Sequence, residues 1–380
     1  MHYQAIVIGL GAMGSSTVAE LARRGTGVLG IEAFGRAHDL GSSGGLSRII
    51  RLAYFEHPSY VPLLRAAWQG WRDLEAETGR ELLLQCGGLY GGRRGSAVFE
   101  GALRSATEHG LPHRVYDAAE AERRFPALQL DPEMSVLHEQ MAGLLYPERC
   151  IETHLALAES AGAELHFNER VVSWGAGPTI EVATDAGSYT CDRLVIAAGA
   201  WLPKLAPELE LPLTVERNVL FWFEPLDAAV LQPERLPVYI VELDEEHAFY
   251  GFPLLPGQGA KIARHHGGRP TNPDTLERGA SDEDERPVRD FAERHVPAAA
   301  GRRLDAKVCM YTNTPDFDFI LDHHPADERV VIASPCSGHG FKFSNVMGRL
   351  AADLALTGET DFDIDFISID RFAAQRSAPI

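Results

Sequence analysis

The feature that most constrains the fold is a glycine-rich turn near the N-terminus. Gly9, Gly11 and Gly14 follow the apolar, β-branched run 5–8 and lead into the segment 15–24, which has helical periodicity. In such a turn the first glycine allows a tight bend, the second leaves room for a pyrophosphate, and the third lets helix and strand pack closely. The free N–H groups at the start of the helix then face the phosphates. The pattern predicts a dinucleotide-binding β-α-β unit.

An acid completes this unit. The apolar run 28–31 reads as the second strand, and it ends at Glu32, 18 residues beyond Gly14. An acid at this place accepts hydrogen bonds from ribose hydroxyls, and it disfavours a 2′-phosphate. We therefore expect FAD or NAD rather than NADP. The glycine pattern alone does not separate FAD from NAD.

The rest of the chain alternates between two patterns. The N- and C-terminal thirds show buried strands followed by helices, whereas two inserted blocks show longer alternating strands that are typical of antiparallel sheets. We predict a mixed α/β (α+β) fold, in which a Rossmann-like dinucleotide-binding domain is interleaved with a substrate domain on a mostly antiparallel sheet. The predicted boundaries are 1–80, 142–212 and 309–380 for the first domain, and 81–141 and 213–308 for the second.

Local patterns predict individual elements. Helices are expected over 60–77, 150–162, 281–295 and 345–356, with Ser281 as the N-cap of the third. A hairpin is expected from 179–184 and 188–191, followed by a separate buried parallel strand over 194–199.

Charge and cysteine content exclude several functions. Acids outnumber bases 54 to 35, for a net charge of -19, so nucleic-acid and anionic membrane partners are not expected. No run of 18 apolar residues predicts a membrane span. Five scattered cysteines without a C-x-x-C favour a reducing compartment over disulfides or structural zinc. Residues 1–15 lack the features of a signal peptide, and 377–380 is not a peroxisomal address, so we expect a cytoplasmic protein.

Motifs far downstream resemble a known enzyme family. Residues 309–312 read Cys-Met-Tyr-Thr, residues 337–343 read Ser-Gly-His-Gly-Phe-Lys-Phe, and a Gly-Ser-Ser loop at 41–43 precedes Arg-Ile-Ile-Arg at 48–51. Together they resemble the monomeric sarcosine oxidase and N-methyltryptophan oxidase family, within the D-amino-acid-oxidase-like flavoenzymes. The resemblance covers essentially the whole chain, and the motifs come in the family's order.

The resemblance implies FAD as the cofactor, bound covalently by a thioether from Cys309 to the 8α-methyl group of the flavin. It implies that Arg48 lies near the flavin ring and that the backbone of Val171 contacts the adenine side. The full set of expected cofactor-binding residues is Gly9, Gly11, Gly14, Glu32, Ser43, Arg48, Val171, Gly199, Cys309, Gly338 and Lys342.

The resemblance also implies a substrate site. Arg51 and Lys342 would hold the substrate carboxylate, and Lys261 would activate oxygen above the flavin. The residues expected to line or polarise the pocket, together with Arg48, are Tyr250, His265, Tyr311 and His339. The chain departs from the family at Gly44, where the family loop usually has a histidine that adds to the positive environment of the flavin.

The expected activity is the oxidation of a small secondary amino acid, sarcosine first, by O2. The products would be an imine, which hydrolyses to an aldehyde and a primary amine, and hydrogen peroxide. We expect a monomer whose partners are the amino acid and O2. Metal chemistry is not expected, because the paired histidines 265–266 and 323–324 are adjacent and do not share a helix face.

Alternative functions remain open from the residues alone. A flavin dehydrogenase with a non-oxygen acceptor, an oxidase of cyclic amino acids such as proline or pipecolate, a nicotinamide dehydrogenase and a non-catalytic flavin-binding protein all fit the glycine turn. A hydrolase is a further alternative, because residues 41–45 match G-x-S-x-G. That motif requires a strand immediately before the serine and a helix immediately after it.

Overall fold

The computed structural model describes residues 1–373. Residues 374–380, which include the end of the predicted first domain and the C-terminal tetrapeptide considered above, lie outside the described residues. The helices are α1 (Ala12–Arg23), α2 (Val61–Thr78), α3 (Ala97–Glu108), α4 (Ala118–Arg124), α5 (Pro147–Ser160), α6 (Leu202–Leu205), α7 (Asp282–His295) and α8 (Ser344–Thr357).

The described part of the chain also contains twenty strands. They are β1 (His2–Ile8), β2 (Val28–Glu32), β3 (Arg48–Ile50), β4 (Leu83–Gln85), β5 (Gly88–Arg93), β6 (His113–Asp117), β7 (Met134–Glu139), β8 (Gly143–Leu145), β9 (Glu164–Phe167), β10 (Val171–Ala176), β11 (Ile180–Thr184), β12 (Ser188–Ile196), β13 (Thr214–Phe223), β14 (Val238–Asp244), β15 (His247–Gly251), β16 (Ala260–His265), β17 (Arg269–Pro270), β18 (Arg303–Asn313), β19 (Ile320–His324) and β20 (Asp327–Ser334).

The first sheet carries the β-α-β unit. Its main path is β10-β11-β12-β1-β2-β9, with β20 beside β12 and β19 beside β20. The strands β12, β1, β2 and β9 run parallel. The second sheet has nine strands in the path β17-β13-β16-β15-β14-β5-β7-β6, with β18 beside β13, and only the β14–β5 pair in it is parallel. The expected α/β fold with a mostly antiparallel second sheet is confirmed.

The expected break between 191 and 194 is wrong. Residues 188–196 form the single strand β12, which pairs antiparallel with β11 through its first half and parallel with β20 through its second half. The change from an alternating to a fully buried pattern therefore marks a change of neighbour along one edge of the strand. It does not mark the end of the strand.

The helix predictions are confirmed within a few residues. Helix α1 begins at Ala12, earlier than expected, and after it Gly25 adopts a left-handed φ of +79°. Helix α5 begins with Pro147, whose missing N–H is not needed in the first turn. Ser281 caps α7, and its side chain forms a capping box with Asp284.

The two-domain division remains a prediction. The strand pairing follows the predicted boundaries in the two large sheets but crosses them in the small sheet and in β18. Strands from the two sets of ranges form separate large sheets, but the small sheet β3-β8-β4 combines 83–85 with 48–50 and 143–145. The predicted boundary between 308 and 309 falls inside β18, which pairs with β13 from Thr214 to Phe223. Cys309 therefore lies on the second sheet.

Two apolar cores support these sheets. One packs α1, α2, α5 and α8 around the first sheet, and another packs α4 and α7 against the second sheet. Within residues 1–373 no helix has the length and apolar character needed to cross a membrane.

Candidate active site

A large cavity opens where the carboxyl ends of the first sheet face the second sheet. Gly9, Ala33 and Ala197 line it from the ends of β1, β2 and β12. Tyr250 and Cys309 line it from the second sheet, and the turn 338–342 before α8 closes one side. The crevice outside the carboxyl ends of parallel strands is the usual ligand site of such sheets.

The glycine turn is shaped as the sequence predicts. Gly9 has a φ of +86°, and a Cβ there would lie 2.6 Å from the carbonyl oxygen of Ala197. A Cβ on Gly14 would lie 1.7 Å from the carbonyl oxygen of Gly9, so Gly14 serves close packing and does not line the cavity. Gly11 faces the cavity, with only the Ser43 hydroxyl within 4 Å of a Cβ built on it.

Glu32 is fixed at the end of β2. Its carboxylate accepts hydrogen bonds from the backbone N–H groups of Leu10 at 2.8 Å and Phe34 at 3.1 Å. The side chain is buried and lines the cavity. The backbone therefore presents this carboxylate in one orientation, as recognition of a ribose hydroxyl requires.

Other expected cofactor residues also line the cavity. These are Ser43, Val171, Gly199 and Gly338. Gly199 and Gly338 have φ values of +52° and +77°, in the left-handed region that favours glycine.

Arg48 ties the preceding loop to Cys309. Its guanidinium donates to the carbonyl oxygens of Ser42 at 3.0 Å and Ser47 at 2.9 Å, and makes a short contact with that of Gly44. One guanidinium nitrogen lies 3.7 Å from Sγ of Cys309. Sγ is 3.5 Å from the carbonyl oxygen of Ser42, and Cys309 is only 4% exposed. Arg48 therefore places a positive charge beside the buried sulfur that the resemblance assigns to the thioether.

Lys261 lies behind this loop and not on the cavity wall. Its Nζ donates to the carbonyl oxygens of Gly45 at 2.7 Å and Ser47 at 2.8 Å, and to the Ser47 hydroxyl at 3.1 Å. Burial, together with the charge of Arg48, lowers the pKa of Lys261 well below its usual value. The ammonium thus has three hydrogen-bond acceptors within the protein.

The loop leaves no room for a side chain at Gly44. A Cβ there would lie 2.8 Å from Cβ of Asp39, whose carboxylate is 2.9 Å from Nζ of Lys307. Where the family usually has a histidine, this chain therefore has a glycine against which Asp39 packs closely. Asp39 forms an ion pair with Lys307, two residues before Cys309.

Arg51 is held by residues that follow it in the chain. Its NH2 lies 2.5 and 2.6 Å from the two carboxylate oxygens of Glu56, and its Cζ lies 4.1 Å from the centre of the Tyr54 ring and 4.0 Å from that of Phe55. Burial alone would raise the pKa of Glu56, but Arg51, with His339 and Lys342, lowers it to about 2. Sequence reasoning missed Glu56. The signal was an acid in an apolar and aromatic stretch five residues after an expected clamp arginine.

Lys342 differs from Lys261 in its partners. Its Nζ donates to the carbonyl oxygen of His339 at 2.5 Å and lies 5.0 Å from the centre of the Tyr54 ring. Within the described residues it makes no other hydrogen bond and no ion pair. Burial, with the charge of Arg51, lowers the pKa of Lys342 well below its usual value. A buried lysine with donors that are unused within residues 1–373 therefore stands beside the cavity.

The contacts of His339 fix its tautomer. Nε2 lies 2.9 Å from the carbonyl oxygen of Phe317, which only accepts, so Nε2 carries the proton and Nδ1 accepts from the Tyr54 hydroxyl at 2.5 Å. Burial lowers the pKa of His339 to about 3, so the ring is neutral at physiological pH. Tyr54 was not among the expected site residues.

The remaining expected residues form an aromatic wall. The hydroxyls of Tyr250 and Tyr311 are 3.5 Å apart, and the His265 ring lies 6.1 and 5.9 Å from theirs in edge contacts. Burial lowers the pKa of His265 well below its usual value, and His266 and His339 lower it further. All three side chains line the cavity.

The residues present fit FAD. Gly11 leaves space at the start of α1, Glu32 is oriented for a ribose, and Thr312, which sequence reasoning missed, lines the cavity with a buried hydroxyl that has no hydrogen-bond partner among the described residues. A buried hydroxyl without a partner is costly unless a ligand supplies one.

Two other chemistries find no support. Ser43 lies in a loop between β2, which ends at Glu32, and β3, which begins at Arg48, so the strand and helix of a nucleophile elbow are absent around it. Among residues 1–373 there is no group of three or more His, Cys, Asp or Glu side chains that could hold a metal ion.

Comparisons with known proteins show the family to which the chain belongs. A family model described as FAD dependent oxidoreductase matches residues 4–354. The chain is 44% identical over 377 residues to the monomeric sarcosine oxidase of Streptomyces avermitilis, covering 98% of both chains. It is 33% identical to an N-methyl-L-tryptophan oxidase of Yersinia pestis, covering 98% of this chain and 100% of the other. The structure of NikD, described as an unusual amino acid oxidase, has the same fold, with a TM-score of 0.86, 23% identity and 97% of both chains covered.

Proposed function

We propose that this chain, which belongs to the FAD-dependent oxidoreductases and among them to the monomeric sarcosine oxidase family, oxidises a small secondary amino acid, sarcosine first, with O2 as the acceptor. The products are an imine, which hydrolyses to an aldehyde and a primary amine, and hydrogen peroxide. The observation that carries the proposal is the pair of buried cations, Arg51 and Lys342, in the same cavity as the glycine turn and Cys309.

FAD, when bound, supplies the acceptor for the two electrons of the C–H bond beside the substrate nitrogen and passes them to O2. Gly9, Gly11 and Glu32 would hold its adenosine diphosphate half. Val171 would contact the adenine side through its backbone. Arg48 and Cys309 would lie at the flavin end.

The carboxylate of the substrate binds Arg51 and Lys342. Lys342 has donors that no group in residues 1–373 uses, and a carboxylate supplies both acceptors and a negative charge. Because Arg51 is already held by Glu56, its guanidinium is oriented before the substrate arrives. This orientation reduces the entropy that binding costs.

The field of the pocket acts on the substrate nitrogen. Arg48 and Arg51 are cations, the bound carboxylate favours the charged form of Lys342, and His339 is neutral and adds no negative charge. Nearby positive charge lowers the pKa of a bound amine. The site therefore favours the neutral amine, the form that can release a hydride equivalent. Tyr250, His265 and Tyr311 line the space beside it.

Lys261 is the residue proposed to promote reaction with O2. A fixed positive charge stabilises superoxide as it forms. Since Lys261 lies behind the loop 45–47, its charge acts through the loop and not by direct contact from the cavity wall. Oxygen as the acceptor distinguishes this proposal from a dehydrogenase that uses another electron acceptor.

Covalent attachment at Cys309 is supported by the approach of Arg48 to the sulfur. A protein pellet obtained by acid precipitation should stay yellow, and the Cys309→Ser variant should release its FAD. Cys336 provides a matched control, because it lines the same cavity. Its Cys336→Ser variant should keep the yellow pellet. Release of FAD from the unaltered protein on precipitation would count against the thioether.

We further propose that the chain is a monomer that works in the cytoplasm, with the amino acid and O2 as its partners. The function is tested by a peroxide-coupled screen of N-methyl, N-ethyl and cyclic amino acids. Sarcosine should give the highest kcat/KM. Turnover restricted to proline-like cyclic amino acids would replace the substrate assignment, and turnover only with an added quinone or dye would replace O2 as the acceptor.

A further inference from the structure

The segment that carries the clamp arginine needs support from elsewhere in the fold. Strand β3 ends at Ile50, and residues 51–57 have no regular secondary structure. Leu52 and Ala53 are nonetheless buried, at 2% and 0% exposure. Buried backbone N–H groups require acceptors. Residues 52 and 53 belong to no strand or helix, so backbone pairing within such an element does not provide them.

The acceptor for both groups is one carboxylate. Glu139, the last residue of β7 in the second sheet, accepts from the backbone N–H of Leu52 at 3.1 Å and of Ala53 at 3.0 Å. The hydroxyl of Tyr90 donates to the same carboxylate at 2.6 Å. Glu139 is 1% exposed, and burial raises its pKa to about 7 although Tyr90, the two N–H groups and the charge of Arg51 act in the opposite direction.

The backbone that Glu139 holds leads directly into the residues that contact Arg51. NH1 of Arg51 lies 3.5 Å from the carbonyl oxygen of Ala53, and the guanidinium packs on the rings of Tyr54 and Phe55 before it reaches Glu56. The position of the guanidinium thus depends on the backbone at 52–53. That backbone depends on the carboxylate at 139.

We infer that Glu139 is a positioning residue for substrate binding: by fixing the backbone of Leu52 and Ala53, it sets the Arg51 guanidinium in the orientation that receives the substrate carboxylate. This inference rests on the proposed function, because it takes Arg51 as part of the carboxylate site. Glu139 itself makes no contact with the substrate in this account.

The variant Glu139→Gln distinguishes a positioning role from a purely electrostatic one, because the two roles predict opposite changes in the affinity for a carboxylate. Glutamine has nearly the same shape but loses the negative charge, and its amide NH2 faces a backbone N–H where the carboxylate oxygen accepted. If Glu139 acted only through its charge, its neutralisation beside Arg51 would strengthen the binding of a carboxylate. If it positions Arg51, the same change weakens binding.

The chain offers a matched control. Glu242 on β14 is also buried, and its carboxylate also accepts from two backbone N–H groups, those of Ala97 at 3.2 Å and Val98 at 2.6 Å. These groups start α3 and do not belong to the segment of Arg51. Glu242→Gln therefore reproduces the structural loss at the start of α3, about two turns before Ser105, whose hydroxyl donates to the carbonyl oxygen of Tyr54.

In the first measurement, acetate is titrated into the FAD-loaded wild-type protein and the two glutamine variants, and the flavin absorbance gives the Kd. In the second, steady-state kinetics give the KM and kcat of each protein for sarcosine. Both variants should unfold at lower urea concentration than the wild type. Only Glu139→Gln should raise the acetate Kd and the KM, by about tenfold, with kcat nearly unchanged, because small displacements of a binding group are costly. Glu242→Gln should leave both constants at wild-type values.

The outcomes are distinguishable. Unchanged or tighter acetate binding in the Glu139→Gln variant, beside a wild type that binds acetate, overturns the inference alone. If acetate binds the wild-type protein but does not inhibit the oxidation of any amino acid, the proposed function is overturned. If Glu139→Gln does not fold, Tyr90→Phe carries the test. It removes one of the three hydrogen bonds to Glu139 and should raise the acetate Kd by about threefold, and an unchanged Kd there rejects the positioning role.

Discussion

Replacement of Lys342 by methionine should stabilise the protein and impair substrate binding at once. The Nζ of Lys342 is buried with one hydrogen bond, to His339, and no carboxylate partner within the described residues. A buried charge that makes no direct ion pair costs several kcal/mol, and replacement of buried ionic groups by apolar residues of similar volume is often stabilising, by about 1–4 kcal/mol for ion pairs. Methionine retains most of the aliphatic chain, so we expect the free energy of unfolding of the apoprotein to rise by about 1–2 kcal/mol.

Binding should change in the opposite direction. A hydrogen bond that involves a charged group contributes about 1.5–3 kcal/mol. At about 1.4 kcal/mol for each factor of ten, the KM for sarcosine and the Kd for acetate should rise about 10- to 100-fold. The flavin content should stay at the wild-type level, because the effect is on the substrate carboxylate.

The assay pairs urea unfolding of the apoproteins with steady-state kinetics of the FAD-loaded proteins. Lys261→Met is the comparison, since Lys261 is equally buried but has three hydrogen-bond acceptors. That variant should lose about 2–3 kcal/mol of unfolding free energy, because it strands buried acceptors. Its flavin should also react more slowly with O2 than wild type, with little change in reduction by substrate. A Lys342→Met variant that is less stable and has an unchanged KM would refute the reasoning.

Three further predictions concern packing and pH. Gly14→Ala places a Cβ 1.7 Å from the carbonyl oxygen of Gly9 and should abolish FAD binding, measured as flavin content. Gly175→Ala is the control, because no heavy atom lies within 4 Å of a Cβ there, and it should bind FAD normally. Equal flavin content in the two variants would contradict the packing role of Gly14. His154 is buried, and its Nε2 has no hydrogen-bond partner among residues 1–373. Burial lowers the pKa of His154 to about 4, so its full contribution to stability is present above pH 6.5, and about 3 kcal/mol is lost as the pH falls from 6.5 to 4. His154→Phe should reduce the pH dependence of urea unfolding over that range, and an identical pH dependence would reject this origin. Gly44→His should displace Asp39 and lower the unfolding midpoint, and an unaltered midpoint would show that the loop has room for a side chain.

Sequence reasoning succeeded where the backbone itself sets the requirement. The glycine turn was predictable because the backbone leaves no room for a side chain at Gly9 and Gly14, and because Gly11 keeps the cavity open at the start of α1. The N-cap at Ser281 was predictable for the same reason, since it depends on neighbours three residues away.

It failed where a contact joins distant parts of the chain. Glu139 lies 86 residues from Ala53, and Arg48 lies 261 residues from Cys309, so no local pattern links them. The single strand β12 was divided because its burial pattern depends on which strand lies beside it. The position of Lys261 behind the loop depends on how the loop 45–47 folds over it.

Glu56 combines a local determinant with a long-range one. It is near Arg51 in the sequence, so the ion pair was within reach of local reasoning, but the burial that makes it matter is a tertiary property. An exposed pair at this spacing contributes little to stability. In the folded chain the same pair orients a guanidinium in the cavity.

Sarcosine should reduce the flavin of this chain, and O2 should reoxidise it. The most direct measurement mixes the FAD-loaded protein with sarcosine under anaerobic conditions, follows the flavin absorbance, and then admits O2. We predict full bleaching, with a rate that saturates with sarcosine concentration, followed by rapid recovery with one hydrogen peroxide formed per flavin. A flavin that stays oxidised with sarcosine, or one that bleaches but recovers only when a quinone or dye is added, would contradict the account.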